Sequence, residues 1–251
     1  MDELSLIMPM AGRGSRFSKE GFELPKPLIE LEGKPFFWWA TESVSRSCRI
    51  ADLVFVVLQE HVDRLGIDLQ VKELYPDATI VVTPEVTPGA AATAALGIEA
   101  LTSDHPIAVN DSDHAFALRD PAALLAALRS GTDGALVGFR SDKPAYSYVE
   151  LEQGTDMKVR RTVEKEVVSP FAIAGCYFFA NKVTFEKVYQ DYASTCAYNE
   201  LFMSGLFNGM IERDLNVMYQ ELTSHVSFGT PEELERVEPG LLASLWQAGL
   251  S

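Results

Sequence analysis

Short runs of consecutive apolar residues recur through the first 140 positions of this 251-residue chain and constrain its fold more than any other feature. The runs are 4–8, 53–58, 79–82, 107–109 and 135–139. Segments with the spacing of helices separate them, for example 90–101 and 121–128. A strand that is apolar at every position can bury both of its faces, as strands do in a parallel sheet covered by helices. The sequence therefore predicts an α/β fold.

The pattern changes between residues 141 and 180, where strand-like segments begin at Tyr146, Lys158 and Phe171. No helical pattern separates the first two, which is typical of antiparallel pairing. We therefore predict a small, strand-rich antiparallel insertion around 141–180. Helices are predicted again at 183–192, at 199–211 and after Thr230. Because the chain shows neither a linker nor a repeat, we expect one domain spanning 1–251.

Charge and cysteine content narrow the classes of partner. The chain carries 21 Lys and Arg against 36 Asp and Glu, a formal charge of −15. Nucleic acids and anionic membranes attract positive proteins, so this charge argues against both as partners.

No apolar run approaches the roughly 20 residues that a membrane helix needs. Cys48, Cys176 and Cys196 show neither a disulfide framework nor a zinc spacing, which favours a cytoplasmic location.

The loop at residues 10–27 concentrates positive charge in this acidic chain, with a sum of +2. Gly12 and Gly14 leave the backbone free to approach a ligand, so that amide groups can point at phosphate oxygens. Two prolines enclose Lys26 and stiffen its backbone. The Gly-Lys-Ser/Thr of a P-loop and the third glycine of a dinucleotide fingerprint are both absent. We interpret the loop as a phosphate-binding site. The side chains that could add charge are Arg13, Arg16 and Lys26.

Two aspartates, Asp111 and Asp113, directly follow the apolar run 107–109. Open α/β sheets bind ligands at the carboxyl ends of their strands. Mg²⁺ that bridges phosphates needs only one or two protein carboxylates, so Asp113, with or without Asp111, could hold it. A turn or a helix cap is the alternative explanation. The four histidines lack a metal spacing and no G-x-S-x-G motif occurs, so zinc and serine hydrolases are unsupported.

A turn at residues 84–89 leads into a helix of very small residues that begins near Ala90. Small side chains would let a flat nucleotide base approach the backbone closely. Tight packing of that helix explains the same residues equally well, so both interpretations stay open.

The motifs Gly12-Arg-Gly-Ser-Arg16-Phe17 and Pro25-Lys26-Pro27-Leu28 resemble the signature of the sugar nucleotidyltransferase, or nucleoside-diphosphate-sugar pyrophosphorylase, family. The resemblance continues through residues 87–93, 163–165, 174–179 and 229–234. Within that family the chain is most similar to bacterial capsule and surface-polysaccharide nucleotidyltransferases, which include cytidylyltransferases. The resemblance implies a Rossmann-like three-layer αβα sandwich with a mostly parallel mixed sheet and a small antiparallel extension, related to the GT-A fold.

The resemblance also implies an activity. The family transfers a nucleotidyl group from a nucleoside triphosphate to a sugar phosphate or another phosphate monoester and releases pyrophosphate, with Mg²⁺ as cofactor. CTP is the favoured donor, with UTP and dTTP left open, and the product would serve polysaccharide synthesis. The implied catalytic residues are Arg16, Lys26 and Asp113, with Asp113 as the metal ligand. The implied nucleotide-binding residues are Met10, Ala11, Gly12, Arg13, Gly14, Pro84, Gly89, Ala90 and Asp111. The implied acceptor-binding residues are Tyr148, Glu164, Lys165, Gly175 and Asn199.

Self-association into a homodimer is open, and the apolar stretch 202–211 could take part in it. Two alternative functions also remain open. Asp111-Ser-Asp113 fits the D-x-D pattern with which GT-A glycosyltransferases hold a metal and a nucleotide sugar. The family often places a second metal-binding Asp or Asn near its last strand, where this chain reads Ser227-Phe-Gly-Thr230. That departure motivates the second alternative, a nucleotide-binding regulatory module without turnover.

Overall fold

The computed structural model describes residues 3–155 and 157–246. The other residues of the predicted 1–251 domain, including residue 156 of the predicted insertion, lie outside the described residues. The strands are β1 Glu3–Met10, β2 Glu30–Leu31, β3 Lys34–Pro35, β4 Arg49–Leu58, β5 Thr79–Thr83, β6 Ile107–Asn110, β7 His114–Ala117, β8 Gly134–Arg140, β9 Tyr148–Leu151, β10 Val159–Val163, β11 Phe171–Phe179, β12 Val217–Glu221 and β13 Ser224–Ser227. The helices are α1 Ser15–Lys19, α2 Phe36–Ser45, α3 Gln59–Leu65, α4 Ile67–Leu74, α5 Ala90–Glu99, α6 Pro121–Arg129, α7 Lys182–Thr195, α8 Met203–Ile211, α9 Pro231–Leu234 and α10 Leu241–Ser244.

Nine strands form the main sheet, in the order β10-β9-β11-β6-β1-β4-β5, and β8 joins β11 to β12. Parallel pairing links β6, β1, β4 and β5, and also β8 with β12. Antiparallel pairing surrounds β11, which contacts β6, β8 and β9. The predicted α/β fold, with its mixed sheet and its antiparallel strands in the 141–180 segment, is confirmed.

Alternating side chains of the central strands explain why those strands are apolar throughout. Leu6 and Met8 of β1 enter the hydrophobic core on one face of the sheet, together with Phe55 of β4. Ile7 and Val54, from the same two strands, enter the core on the opposite face. Burial on both faces removes the apolar surface of each strand from water, which stabilises the sheet between two helical layers.

The helix of small residues, α5, packs directly against the sheet. Ala91 and Ala94 are fully buried, and a β-carbon added to Gly97 would lie 2.7 Å from Cγ2 of Ile7. Tight packing therefore accounts for one side of α5. Ala90, at the start of the same helix, lines a cavity described below. The packing interpretation is confirmed, and the approach of a nucleotide base to this segment stays a prediction.

A two-stranded sheet of β7 and β13 was not evident from the sequence. It begins directly after Asp113 and brings the segment following β13 beside that aspartate, because Phe228 N–H donates to the Asp113 carbonyl at 3.0 Å. The predicted helix start at Thr230 is confirmed, since the Thr230 hydroxyl accepts from the Glu233 amide. The new sheet therefore places the start of α9 next to Asp113.

The predicted helix 199–211 is wrong in its first four residues. Helix α8 begins at Met203, because the Leu201 amide donates to the Pro88 carbonyl at 2.9 Å and the Leu201 carbonyl accepts from Ala91 at 3.0 Å. Leu206 and other apolar residues of α8 are buried in the core. Self-association through the stretch 202–211 stays a prediction.

Two further expectations concern the chain as a whole. Cys48, Cys176 and Cys196 are free thiols, and the first two are buried. Among residues 3–155 and 157–246, no helix has the length and apolar character to cross a membrane.

Candidate active site

Two cavities meet at the carboxyl edge of the sheet, where β1, β4, β5 and β6 end. The larger has a volume of about 900 Å³ and the smaller about 190 Å³. Asp111 and Ala90 line both, so the two spaces adjoin. The larger cavity contains every residue that the sequence assigns to nucleotide binding. These are Met10, Ala11, Gly12, Arg13, Gly14, Pro84, Gly89, Ala90 and Asp111.

The loop after β1 folds back on itself so that its glycines and Lys26 face the larger cavity. Gly14 adopts a φ of +60°, and a β-carbon there would lie 3.1 Å from Cβ of Lys26. A left-handed backbone and this close approach both favour glycine. Phe17, in the middle of the loop, and Leu28, directly after it, are buried and anchor the loop in the core. The loop can therefore hold Lys26 in one place without an ordered ligand.

The ammonium of Lys26 donates to Oδ2 of Asp113 at 2.7 Å, at the boundary between the cavities. Burial lowers the pKa of Lys26, but the charge of Asp113 and the hydrogen bond to it outweigh that effect and raise the pKa above its usual value. Burial likewise raises the pKa of Asp113, but the charge of Lys26 holds it well below the usual range. Both groups are therefore charged at neutral pH.

Asp111 is the second carboxylate at this boundary, and it differs from Asp113 in having no counter-ion within hydrogen-bonding distance among the described residues. Burial and the charge of Asp113 raise its pKa, although Lys26 opposes them. Two adjacent carboxylates thus share one ammonium. The excess negative charge is suited to a divalent cation.

Two glycines make the space that the carboxylates occupy. A β-carbon on Gly175 would lie 2.9 Å from Oδ2 of Asp111, and one on Gly229 would lie 2.5 Å from Oδ2 of Asp113. Gly175 has a φ of +67° at the irregularity of β11 between Ile173 and Tyr177. Its carbonyl accepts from the Asp111 amide at 2.9 Å. The interruption of β11 therefore shapes the site.

The residues predicted to bind the acceptor lie at two different cavities. Glu164 and Gly175 line the smaller cavity, together with the predicted catalytic residues Arg16 and Asp113. Asn199 lines the larger cavity instead.

Two predicted acceptor residues line neither cavity. The side chain of Tyr148 is fully buried and its hydroxyl donates to the Lys143 carbonyl at 2.7 Å. The ammonium of Lys165 lies 3.8 Å from Oε1 of Glu164 and 4.7 Å from the centre of the Phe202 ring. Glu164 and Phe202 both line the smaller cavity, so Lys165 is adjacent to it.

The smaller cavity also has residues outside the assigned catalytic and binding set. Tyr146 donates to a carboxylate oxygen of Glu233, and the other oxygen of Glu233 accepts from the hydroxyl of Ser227 and the amide of Gly229. His225 stacks on Phe139, with ring centres 3.9 Å apart. The Thr-Pro-Glu-Glu motif at 230–233 signals a helix start, but only the unpredicted pairing of β7 with β13 brings it to the cavity.

His114 lines the smaller cavity. Its Nε2 lies 3.0 Å from Oδ1 of Asn110. Burial lowers the pKa of His114 to about 4, although the charge of Asp113 opposes this effect. The imidazole is therefore neutral at physiological pH and does not compete with Lys26 for Asp113.

Residues 199–204, which we call the strap, connect the two cavities. Asn199 and Glu200 line the larger one, and Phe202, Met203 and Ser204 line the smaller. The two backbone hydrogen bonds of Leu201 tie the strap to the turn before α5. A single segment thus contacts both spaces.

We expect Gly89→Ala to detach the strap and weaken nucleotide binding. Gly89 has a φ of +147°, and an added β-carbon would lie 2.5 Å from the Leu201 amide nitrogen. Backbone strain and the clash should lower the free energy of unfolding by about 2 kcal/mol. Thermal unfolding and titration with nucleoside triphosphates measure the two effects. Gly131→Ala is the matched control, because Gly131 has a φ of +114° and open space around it. Equal losses in both variants would contradict the role of the clash.

No group of three or more His, Cys, Asp and Glu side chains is arranged to hold a metal ion in the parts of the chain that the structure describes. A site that uses substrate phosphates and water as additional ligands needs fewer protein groups. Asp111 and Asp113 fit that kind of site. The arrangement can therefore bind a polyanion, neutralise charge with Lys26 and place a second substrate in the smaller cavity.

Comparison with known proteins identifies one family. The model described as "Nucleotidyl transferase" matches residues 5–243, nearly the whole chain. A comparison with curated proteins finds no match.

Solved structures share the fold. The nucleoside-diphosphate-sugar pyrophosphorylase from Vibrio cholerae RC9 has a TM-score of 0.78 and 24% identity, over 92% of this chain and 98% of that one. A Bacillus anthracis protein provisionally named a glucose-1-phosphate thymidylyltransferase has a TM-score of 0.74 and 17% identity, over 93% of each chain. The inositol-1-phosphate CTP transferase from T. maritima has a TM-score of 0.74 and 17% identity, over 98% of this chain and 95% of that one.

Proposed function

Because the chain belongs to the nucleotidyl transferase family, we propose that it transfers a nucleotidyl group from a nucleoside triphosphate to a phosphate monoester and releases pyrophosphate. The observation that carries this proposal is the Lys26–Asp113 ion pair at the junction of the two cavities. The triphosphate occupies the larger cavity and the phosphate monoester the smaller one. The reacting atoms then meet beside Lys26.

The reaction requires positioning rather than a covalent intermediate on the protein. An oxygen of the acceptor phosphate attacks the α-phosphorus, the bond from that phosphorus to the bridging oxygen breaks, and pyrophosphate leaves with the electron pair. Lys26 neutralises the negative charge that develops on the α-phosphate, as preorganised cations do in phosphoryl transfer. Gly12 and Gly14 present backbone amides to the phosphates, and Arg13 and Arg16 add charge.

Mg²⁺ is the proposed cofactor, held by Asp113 together with Asp111. When bound, it would neutralise the phosphate oxygens and orient the α-phosphate. The fit rests on two observations: the carboxylates share one ammonium, and Gly175 and Gly229 leave no side chain between the carboxylates and the cavity. The stretch where the family often has a second metal-binding acid reads Ser227-Phe-Gly-Thr230 here and contains no carboxylate. We propose Asp111 as the second carboxylate instead.

The resemblance of this chain to named proteins narrows the proposal for the donor and the acceptor. CTP is favoured, with UTP and dTTP as alternatives, and the acceptor is a sugar phosphate or a related phosphate monoester. The related structures from T. maritima and V. cholerae are named for inositol 1-phosphate and nucleoside-diphosphate sugars. The product would supply capsule or surface-polysaccharide synthesis in the cytoplasm.

Pyrophosphate release tests the proposal. The protein is incubated with each of CTP, UTP, dTTP, ATP and GTP, with Mg²⁺ and a panel of sugar, inositol and polyol phosphates. We expect release with one triphosphate only when an acceptor is present, and none after Mg²⁺ is chelated. Transfer from a nucleotide sugar without pyrophosphate would instead indicate a glycosyltransferase. Triphosphate binding, seen as thermal stabilisation, without release for any acceptor would indicate a regulatory module.

A further inference from the structure

The larger cavity runs along the carboxyl edge of four neighbouring strands. Asp111 follows β6, the glycine loop follows β1, Glu60 follows β4 and the turn containing Glu85 follows β5. The strands lie in that order in the sheet, so the cavity extends over three strand spacings, roughly 14 Å. A nucleoside triphosphate with its α-phosphate at Lys26 would therefore direct its base toward the β5 end.

Charge is distributed unequally along this cavity. Lys26 and the glycine loop provide cations and amides near β1, whereas the β5 end carries the carboxylates of Glu85 and Glu200. Glu200 belongs to the strap, which the Leu201–Pro88 hydrogen bond fixes beside the same turn. Glu60 also lines the cavity, but Arg64 lies 3.0 Å from its carboxylate and neutralises it.

Neither Glu85 nor Glu200 has an ion-pair or hydrogen-bond partner for its carboxylate among the described residues. An ionised carboxylate accepts hydrogen bonds and cannot donate them. Cytosine and adenine present an exocyclic amino group as a donor, whereas uracil and thymine present a carbonyl oxygen at the corresponding position. A carbonyl that faces a carboxylate would lose its hydrogen bond to water and gain none, which is unfavourable.

We infer that Glu85 and Glu200 select a nucleoside triphosphate whose base is cytosine or adenine. These bases carry an amino group at position 4 of the pyrimidine or position 6 of the purine, and bases with a carbonyl at that position are excluded. This inference rests on the proposed function, because it places the base by the position of the α-phosphate at Lys26. It gives a base-reading role to Glu85 and to Glu200, which lies in a segment that the sequence pattern assigns to a helix.

Isosteric base pairs test the inference. Dissociation constants are measured by calorimetry with Mg²⁺ for CTP against UTP and for ATP against ITP. The members of each pair differ in the exocyclic group, amino or oxygen, and in the proton on the adjacent ring nitrogen. We expect the amino member of the better-binding pair to bind about tenfold or more tightly, as for a hydrogen bond to a charged group. Glu85→Gln and Glu200→Gln should each reduce that ratio, since an amide can donate to a carbonyl. Glu73→Gln on α4, outside the cavity, is the control and should leave the ratio unchanged.

The outcomes separate this inference from the proposed function. If UTP or ITP binds as tightly as its amino partner, or the ratio survives both substitutions, the inference is overturned while nucleotide binding stands. If the substitutions weaken CTP and UTP equally but spare the 2′-deoxy compound dCTP, the carboxylates contact the ribose, which also overturns base selection. If no triphosphate binds, the proposed function fails. Thermal unfolding of each variant verifies that it is folded, as expected for exposed side chains.

Discussion

Replacing Lys26 with methionine is expected to lower kcat by about 10²- to 10³-fold while changing the Kd for the triphosphate much less. Methionine keeps most of the side-chain volume but removes the ammonium that lies 2.7 Å from Asp113. A preorganised charge that stabilises the transition state more than the ground state affects turnover more than binding. Steady-state pyrophosphate release and nucleotide titration measure the two quantities.

The same substitution leaves Asp113 without its partner, so a stability loss must be separated from a catalytic one. Breaking a fully buried ion pair costs about 3–5 kcal/mol, and this pair, with side chains 28% and 22% exposed, should cost less. The double variant Lys26→Met/Asp113→Asn should recover the melting temperature, which isolates the cost of the unpaired carboxylate. Lys72→Met, on α4 and outside both cavities, is the control. A Lys26→Met protein that keeps the wild-type kcat when assayed below its melting temperature would show that Lys26 is only structural.

Replacing Gly175 with alanine is expected to lower the free energy of unfolding by about 3 kcal/mol and to reduce turnover at least tenfold. The left-handed φ of +67° disfavours alanine, and the new β-carbon would lie 2.8 Å from Cε1 of His114 and 2.9 Å from Oδ2 of Asp111. His114 is buried and has little room to move. Asp111 would therefore have to leave its position, and with it the proposed cation site.

Gly154→Ala provides the matched control for this prediction. Gly154 has a φ of +78°, yet a β-carbon there would meet nothing within 4 Å. The control should lose about 1 kcal/mol from backbone strain and keep full activity. Urea unfolding and pyrophosphate release compare the two variants. A similar loss of stability in both, with activity intact in Gly175→Ala, would contradict the proposed role of the β11 irregularity.

The nucleotide-binding side of the site could be predicted from the sequence because each of its parts lies in one short stretch of the chain. The glycine loop, the turn before α5 and Asp111 all directly follow apolar strands. Parallel strands bring their carboxyl ends to one edge, so the strand pattern alone predicts that these loops meet. The structure places all nine predicted nucleotide-binding residues around one cavity.

The acceptor side depends on pairings that no local pattern reveals. Tyr146 reaches the smaller cavity while Tyr148 is buried, because β9 starts at Tyr148 and the residues before it are free to turn toward Glu233. The interruption in β11 and the pairing of β7 with β13 likewise follow from long-range contacts. The first four residues of the strap, 199–202, were mistaken for helix because the apolar residues there fit a helical spacing. The backbone of Leu201 instead bonds to a turn more than a hundred residues away.

The strap also bears on how a catalytic cycle would end. In the proposed binding mode, a product that joins the nucleotide to the acceptor would extend through both cavities. It would touch the strap on both sides of Leu201, a contact that neither substrate would make alone. Its departure is easiest if the strap first gives up its two backbone hydrogen bonds to Pro88 and Ala91. Product release, rather than bond formation, would then limit steady-state turnover, and the first round of synthesis would appear as a burst.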